Sequence, residues 1–171
     1  LLSGSHCDPH AMLGRHRIGD EIIIRTLKPH ALSVDVQIGE LKFAMTPEAP
    51  GVWVLSLSEK EVDTSAYLFD TRYESGNFHS HDPFVFPSTL GDVDLHLIGE
   101  GRHEQLWQVL GAHPRTMYQG QKAVSGTAFS VRSPNSHVHR VYAAINSWDG
   151  PAHPMLSLAS TGLSDLIVTD M

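Results

Sequence analysis

Trp148 stands in the stretch Asn146-Ser147-Trp148-Asp149-Gly150, directly after a run of β-formers. An indole on a loop beyond a strand can stack on the apolar C–H face of a sugar ring. The amide of Asn146 and the carboxylate of Asp149 are then placed to bond the hydroxyls at the ring's edge. Lys122 can reach a hydroxyl in the same way. Trp148, Asn146, Asp149 and Lys122 are therefore the candidate carbohydrate-binding residues. Each also has a plain structural reading. Trp148 can be a packing anchor, Asn146-Ser147 and Asp149-Gly150 can be turn formers, and Lys122 can be a solvated surface cation.

Other chemistry finds less support. Glycosyl transfer needs two carboxylates about 5 Å apart across the scissile bond, and the sequence places neither Asp92 with Asp94 nor Glu59 with Glu61 in a cleft. His79 and His81 share one strand face and Asp82 follows, but zinc needs three or four ligands and no third His or Cys stands nearby. The sequence contains no nucleophile elbow, phosphate loop or dinucleotide fingerprint. The expectation is no catalytic residue, no metal and no cofactor in this chain. The formal charge of −7 and the dispersed 12 Lys and Arg argue against nucleic acid, which needs a concentrated basic surface. No apolar run approaches the roughly 20 residues that span a bilayer, so no membrane partner is expected. Leu1-Leu2-Ser3-Gly4-Ser5 lacks the basic region and apolar core of a signal peptide. Cys7 is the only cysteine, which fits a reducing compartment, the cytoplasm.

The elements that must position these residues are strands. Leu32, Val34, Val36 and Ile38 alternate with polar residues; Trp53, Leu55 and Leu57 repeat the pattern, and so do Tyr67, Phe69, Thr71 and Tyr73. A period of two marks strands with one buried face. Gly39-Glu40, Pro50-Gly51 and Ser75-Gly76-Asn77 supply turns between them. Short strands at this spacing predict an all-β fold of immunoglobulin-like sandwich type. Beyond Asp82-Pro83 the texture changes. Leu106, Trp107, Val109 and Leu110 fall at helical spacing and Gly111 supplies a stop. Trp53 is expected in a core and Trp107 in a docking role, holding the helix between modules.

The tetrapeptide Leu13-Gly14-Arg15-His16 recurs as Leu110-Gly111-Ala112-His113, each time followed by a strand and a proline. The repeat predicts two consecutive β-sandwich modules, with His16 and His113 bonding backbone at their entrances. The expected division is a first module over 1–83, a partly helical linker over 84–115 and a second module over 116–171. The second has too little chain to close. It is expected to be truncated, with Leu163–Thr169 a weak last strand that leaves an open edge.

In this order, "LGAHP", "GTAFSVRSPNS", "INSWDG" and "HPM", with "DPHAMLGRH", "IIIRTLKPHALSV" and "DPFVFPSTLGDVDLHLIGEG" upstream, cover nearly the whole chain. They resemble the N-terminal half of bacterial 1,4-α-glucan (glycogen) branching enzyme. The resemblance implies an N-terminal sandwich followed by a glycogen-binding module of the class called carbohydrate-binding module 48. It implies α-glucan and a catalytic (β/α)₈ barrel as partners; the family's nucleophile and acid/base lie in that barrel, so none is carried over. Arg132 stands where the family usually has Trp, and Ile145 replaces its usual Phe before Asn146. The function so implied is the non-catalytic, glucan-binding front of a branching enzyme. The alternative is a stand-alone glycogen-binding or regulatory protein, and a third reading is a purely protein-docking sandwich.

Overall fold

A computed structural model describes residues 8–58, 63–64, 66–135, 139–141, 155–158 and 162–169. The fold is all-β, with every strand pairing antiparallel. The first sheet contains β1 (Gly14–Ile18), β2 (Glu21–Leu27), β5 (Thr46–Ala49) and β6 (Val52–Ser58), in the order β1-β2-β6-β5. The second contains β3 (Ser33–Ile38), β4 (Leu41–Ala44), β7 (Leu68–Tyr73) and β8 (Gly76–Ser80), in the order β4-β3-β7-β8. Ile22 and Ile24 from the one sheet meet Val34, Val36, Ile38 and Phe69 from the other, closing a sandwich core. Trp53, Leu55 and Leu57 pack against it, as their alternation predicts.

Two short helices follow, α1 (Asp92–Gly99) and α2 (Leu106–Val109), and then a third sheet. Its strands are β9 (Gly111–Gln119), β10 (Lys122–Arg132), β11 (Leu156–Ser157) and β12 (Leu163–Thr169), in the order β11-β12-β10-β9. β12 departs from the expected frayed edge. It lies between β10 and β11, and all seven of its residues are buried. One face of the strand, Leu166 and Val168, joins Leu13, Leu27, Val52 and Phe84 of the first unit in a single cluster. The other face meets what precedes the sheet: Ile167 joins a cluster with Phe86, and Leu163 one with Leu90 and Ile98. Each such side chain contributes roughly 1.5–3 kcal/mol relative to exposure. The eight-residue shared cluster therefore outweighs any one polar contact at the junction.

The repeated tetrapeptide is a repeated geometry. His16 Nε2 lies 2.9 Å from the Leu13 carbonyl oxygen, and His113 Nε2 lies 2.9 Å from that of Leu110. Gly14 and Gly111 make this fold-back possible with φ of +90° and +105°, where a Cβ is strained. The two sites differ in their surroundings. A Cβ on Gly14 would lie 3.0 Å from the Phe84 carbonyl oxygen, whereas on Gly111 the nearest atom is His113 Nε2 at 3.9 Å. Gly111→Ala is therefore expected to lose about 1–2 kcal/mol from backbone strain alone, and Gly14→Ala distinctly more. Urea denaturation of both variants measures the order, and equal losses would contradict it.

Candidate functional site

Trp148, Asn146 and Asp149 lie outside the described residues. Lys122 is described. It opens β10 just past the two-residue turn Gly120-Gln121, its register partner is Gln119, and it is exposed. Across from it, Gln119 is buried and its Oε1 accepts from His81 Nδ1 at 3.2 Å. Burial holds His81 below its ordinary pKa, and the Lys122 charge pushes the same way. The third sheet thus sets Lys122 beside the end of the first sandwich. Arg132 closes the same strand at its other end and is exposed as well.

Trp107 does not dock the helix. It is 72% exposed, and Leu106 beside it is exposed too. The inward residues of α2 and its cap are Val109 and Leu110, which pack on Leu90, Ile98 and Leu163. Four apolar residues on so short a helix cannot all face inward. His79 and His81 also part company: His79 Nδ1 lies 3.8 Å from Asp70 Oδ1, while His81 turns to Gln119. Asp94 is engaged locally, with His103 Nε2 3.1 Å from its Oδ1 and the Gly91 N–H donating to its Oδ2.

The structure places two carboxylates in the interior: Asp82, which the sequence offered only as a neighbour of His79 and His81, and Asp165, which spacing did not single out. Asp82 is 0% exposed. It accepts from Tyr67 Oη at 2.6 Å and from the Phe84 N–H at 2.9 Å, capping the 3₁₀ turn Pro83–Val85. Burial raises its pKa to about 6, against the pull of these donors and of the Lys28 charge. Burial and the neighbouring Asp82 charge likewise raise Tyr67. Lys28 is lowered by burial; its Nζ donates to Ser80 Oγ at 3.0 Å and sits 5.5 Å from the Phe69 ring centroid. Asp165 is 2% exposed. It accepts from Ser88 Oγ at 2.8 Å, the Thr89 N–H at 2.7 Å and Ser130 Oγ at 2.7 Å. A carboxylate shut away and surrounded by donors holds in place the backbone and hydroxyls that bond it. The one local hint at Asp82 is the Asp-Pro pair, a frequent start of a turn, and Asp165 leaves only a polar break in an apolar run.

The fold and this interior define a class first: an all-β protein of packed antiparallel sheets, with the buried carboxylates Asp82 and Asp165 hydrogen-bonded inside it. The sequence comparisons then specify the kind. Residues 1–84 match the family described as alpha-1,4-glucan branching enzyme GlgB, N-terminal domain. The chain is 44% identical over 168 residues to 1,4-alpha-glucan branching enzyme GlgB 1 of Streptomyces coelicolor, covering 98% of this chain and 21% of that protein. It is 40% identical over 171 residues to the GlgB enzyme of Mycobacterium ulcerans, covering 99% and 23%. It is 41% identical over 169 residues to that of Rhodococcus jostii, covering 98% and 23%. Over nearly its whole length the chain is similar to the N-terminal portion of glucan branching enzymes, and it spans between a fifth and a quarter of these relatives.

Proposed function

We propose that this chain is the non-catalytic, glucan-holding front of a cytoplasmic glycogen branching enzyme. In the intact protein a (β/α)₈ domain would move α-1,4-glucan segments to α-1,6 positions, and this portion would hold the polymer near it. Tethering raises the local concentration of a long substrate without new chemistry. The observation that carries the reading is the match of nearly the whole chain to the N-terminal portion of branching enzymes at about 40% identity. The placement of Asp82 and Asp165, buried and committed to structural bonds, supports the non-catalytic part. Among the described residues no helix is long and apolar enough to cross a membrane.

Within this reading Trp148 stacks on a glucose ring while Asn146, Asp149 and Lys122 bond its hydroxyls. Affinity electrophoresis in glycogen gels tests it. The unmutated chain is expected to be retarded, and Trp148→Ala is expected to weaken the interaction about tenfold, the equivalent of roughly 1.4 kcal/mol. A chain that migrates alike with and without glycogen refutes glucan holding. Retardation unchanged by Trp148→Ala removes Trp148 from the contact.

A further inference from the structure

Three consecutive residues beyond Pro83 enter three different cores. Phe84 lies in the cluster that the two β units share, Val85 packs against the core of the first sandwich, and Phe86 lies with Val124, Ala128 and Ile167 of the third sheet. The turn Pro83–Val85 that aims them therefore governs how the second unit sits on the first. His10 grips this turn from the other side. It belongs to the short 3₁₀ helix Pro9–Ala11, ahead of β1. Its ring meets the Phe84 ring edge-on, with centroids 5.3 Å apart and planes at 83°. Its Nε2 lies 3.2 Å from the Phe86 carbonyl oxygen. A carbonyl only accepts, so Nε2 carries the ring proton and donates it. Nδ1 is then a bare lone pair; it is buried, and no described residue bonds it.

We propose that His10 is a proton-sensitive latch: the neutral ring holds the Phe84–Phe86 turn against the N-terminal segment, and a second ring proton loosens the second β unit from the first. The inference goes beyond the glucan-holding reading and does not need it. A proton on Nδ1 creates a charged N–H shut away from water without an acceptor, which is costly. The surroundings offer little relief. The turn presents only the Phe84 ring and the Phe86 carbonyl. β12 brings Asp165, whose carboxylate is already committed to Ser88, Thr89 and Ser130. Asp8, on the helix's own N-cap, accepts from the Ala11 N–H, and His16 of β1 opposes a further positive charge. Burial is the largest influence and holds His10 below its ordinary 6.5, against the pull of the Phe86 carbonyl and the two carboxylates. Acid therefore favours the ring that has swung out to water. The consequence reaches the junction through Leu13. Its N–H and that of Met12 donate to the Pro9 carbonyl, and its side chain lies with Leu166 and Val168 of β12 in the shared cluster.

The test is amide hydrogen exchange between about pH 7 and about pH 5, corrected for the intrinsic pH dependence of exchange, with His10→Gln alongside. The glutamine amide can stand where Nε2 stands and keep the bond to Phe86, but it does not titrate. In the unmutated chain, protection at Met12, Leu13, Leu166 and Val168 is expected to fall about tenfold over the first pH unit below 6.5, while Val36 and Phe69 in the first sandwich lose none. His10→Gln is expected to hold its protection across the range. NMR titration of the His10 ring in the unmutated chain gives a reading that does not depend on the variant, and its midpoint is expected below 6.5. An ordinary midpoint overturns the inference. So do parallel profiles for variant and unmutated chain, or a loss of protection spread evenly over all three sheets.

Discussion

Asp165→Ala is expected to lower the stability of the chain by about 3–5 kcal/mol, one of the two largest effects foreseen here. The carboxylate ties three places together: Ser130 on the neighbouring strand β10, and Ser88 and Thr89 on the segment that leads from the first sandwich. Removing it leaves the Ser130 hydroxyl and the Thr89 N–H buried or half-buried without their acceptor. Each such orphan costs roughly 1–3 kcal/mol. The hydroxyls can rotate, but the Thr89 N–H cannot, so part of the loss has no escape. Urea denaturation gives the magnitude, and hydrogen exchange at Thr89 gives the location. A loss below about 1 kcal/mol, with Thr89 still protected, would show that apolar packing of Phe86 and Leu90 holds the segment without the carboxylate.

The second large effect is a pH dependence carried by Asp82. Its folded pKa of about 6 lies above the ordinary 3.8, so the folded state binds the proton more tightly than the unfolded state. Between these values the folded protein carries more protons, and stability falls as pH rises from about 4 to about 6. The total change corresponds to about 3 kcal/mol, complete above the folded pKa. His10 and His81 act in the opposite sense. Burial lowers both, so their contribution is lost as pH falls below the ordinary imidazole value. A wild-type curve alone mixes these terms. Asp82→Asn separates them: the gap between variant and wild type should shift by about 3 kcal/mol from pH 4 to pH 7, the wild type gaining at the acid end. Parallel curves would mean that Tyr67 and the Phe84 N–H hold the ionised carboxylate well enough to cancel its burial.

Much of the first sandwich is legible before any coordinates. Val34, Val36 and Ile38 are buried on one face of β3 as alternation requires, and Phe69 and Thr71 likewise on β7. On one side each pairs with its sequence neighbour through a short turn, β3 with β4 and β7 with β8, and only the β3–β7 pairing joins strands distant in sequence. Leu163–Thr169 shows the opposite case. Ser164, Asp165 and Thr169 interrupt its apolar run, which makes it read as weak. All three are nonetheless buried, and Asp165 draws its donors from Ser88 and Thr89, more than 70 positions upstream. No local window contains that information. The candidate site divides along the same line. Lys122 was legible only as a sugar-reaching or solvated surface cation, and the structure shows it exposed where β10 opens. The expected docking of Trp107 failed because helical spacing tells which residues share a helix, not which side of a single turn meets the core.

The residues by themselves determined an all-β chain, its repeated Leu-Gly-x-His entrances and its likeness to branching enzymes, because these reside in short-range pattern and in ordered motifs. Only the tertiary structure decided that the two β units share one apolar cluster instead of hanging as separate beads. It also decided that Asp82 and Asp165 are interior fastenings. The physical reason is that alternation assigns side chains to faces, whereas what covers each face depends on contacts distant in sequence.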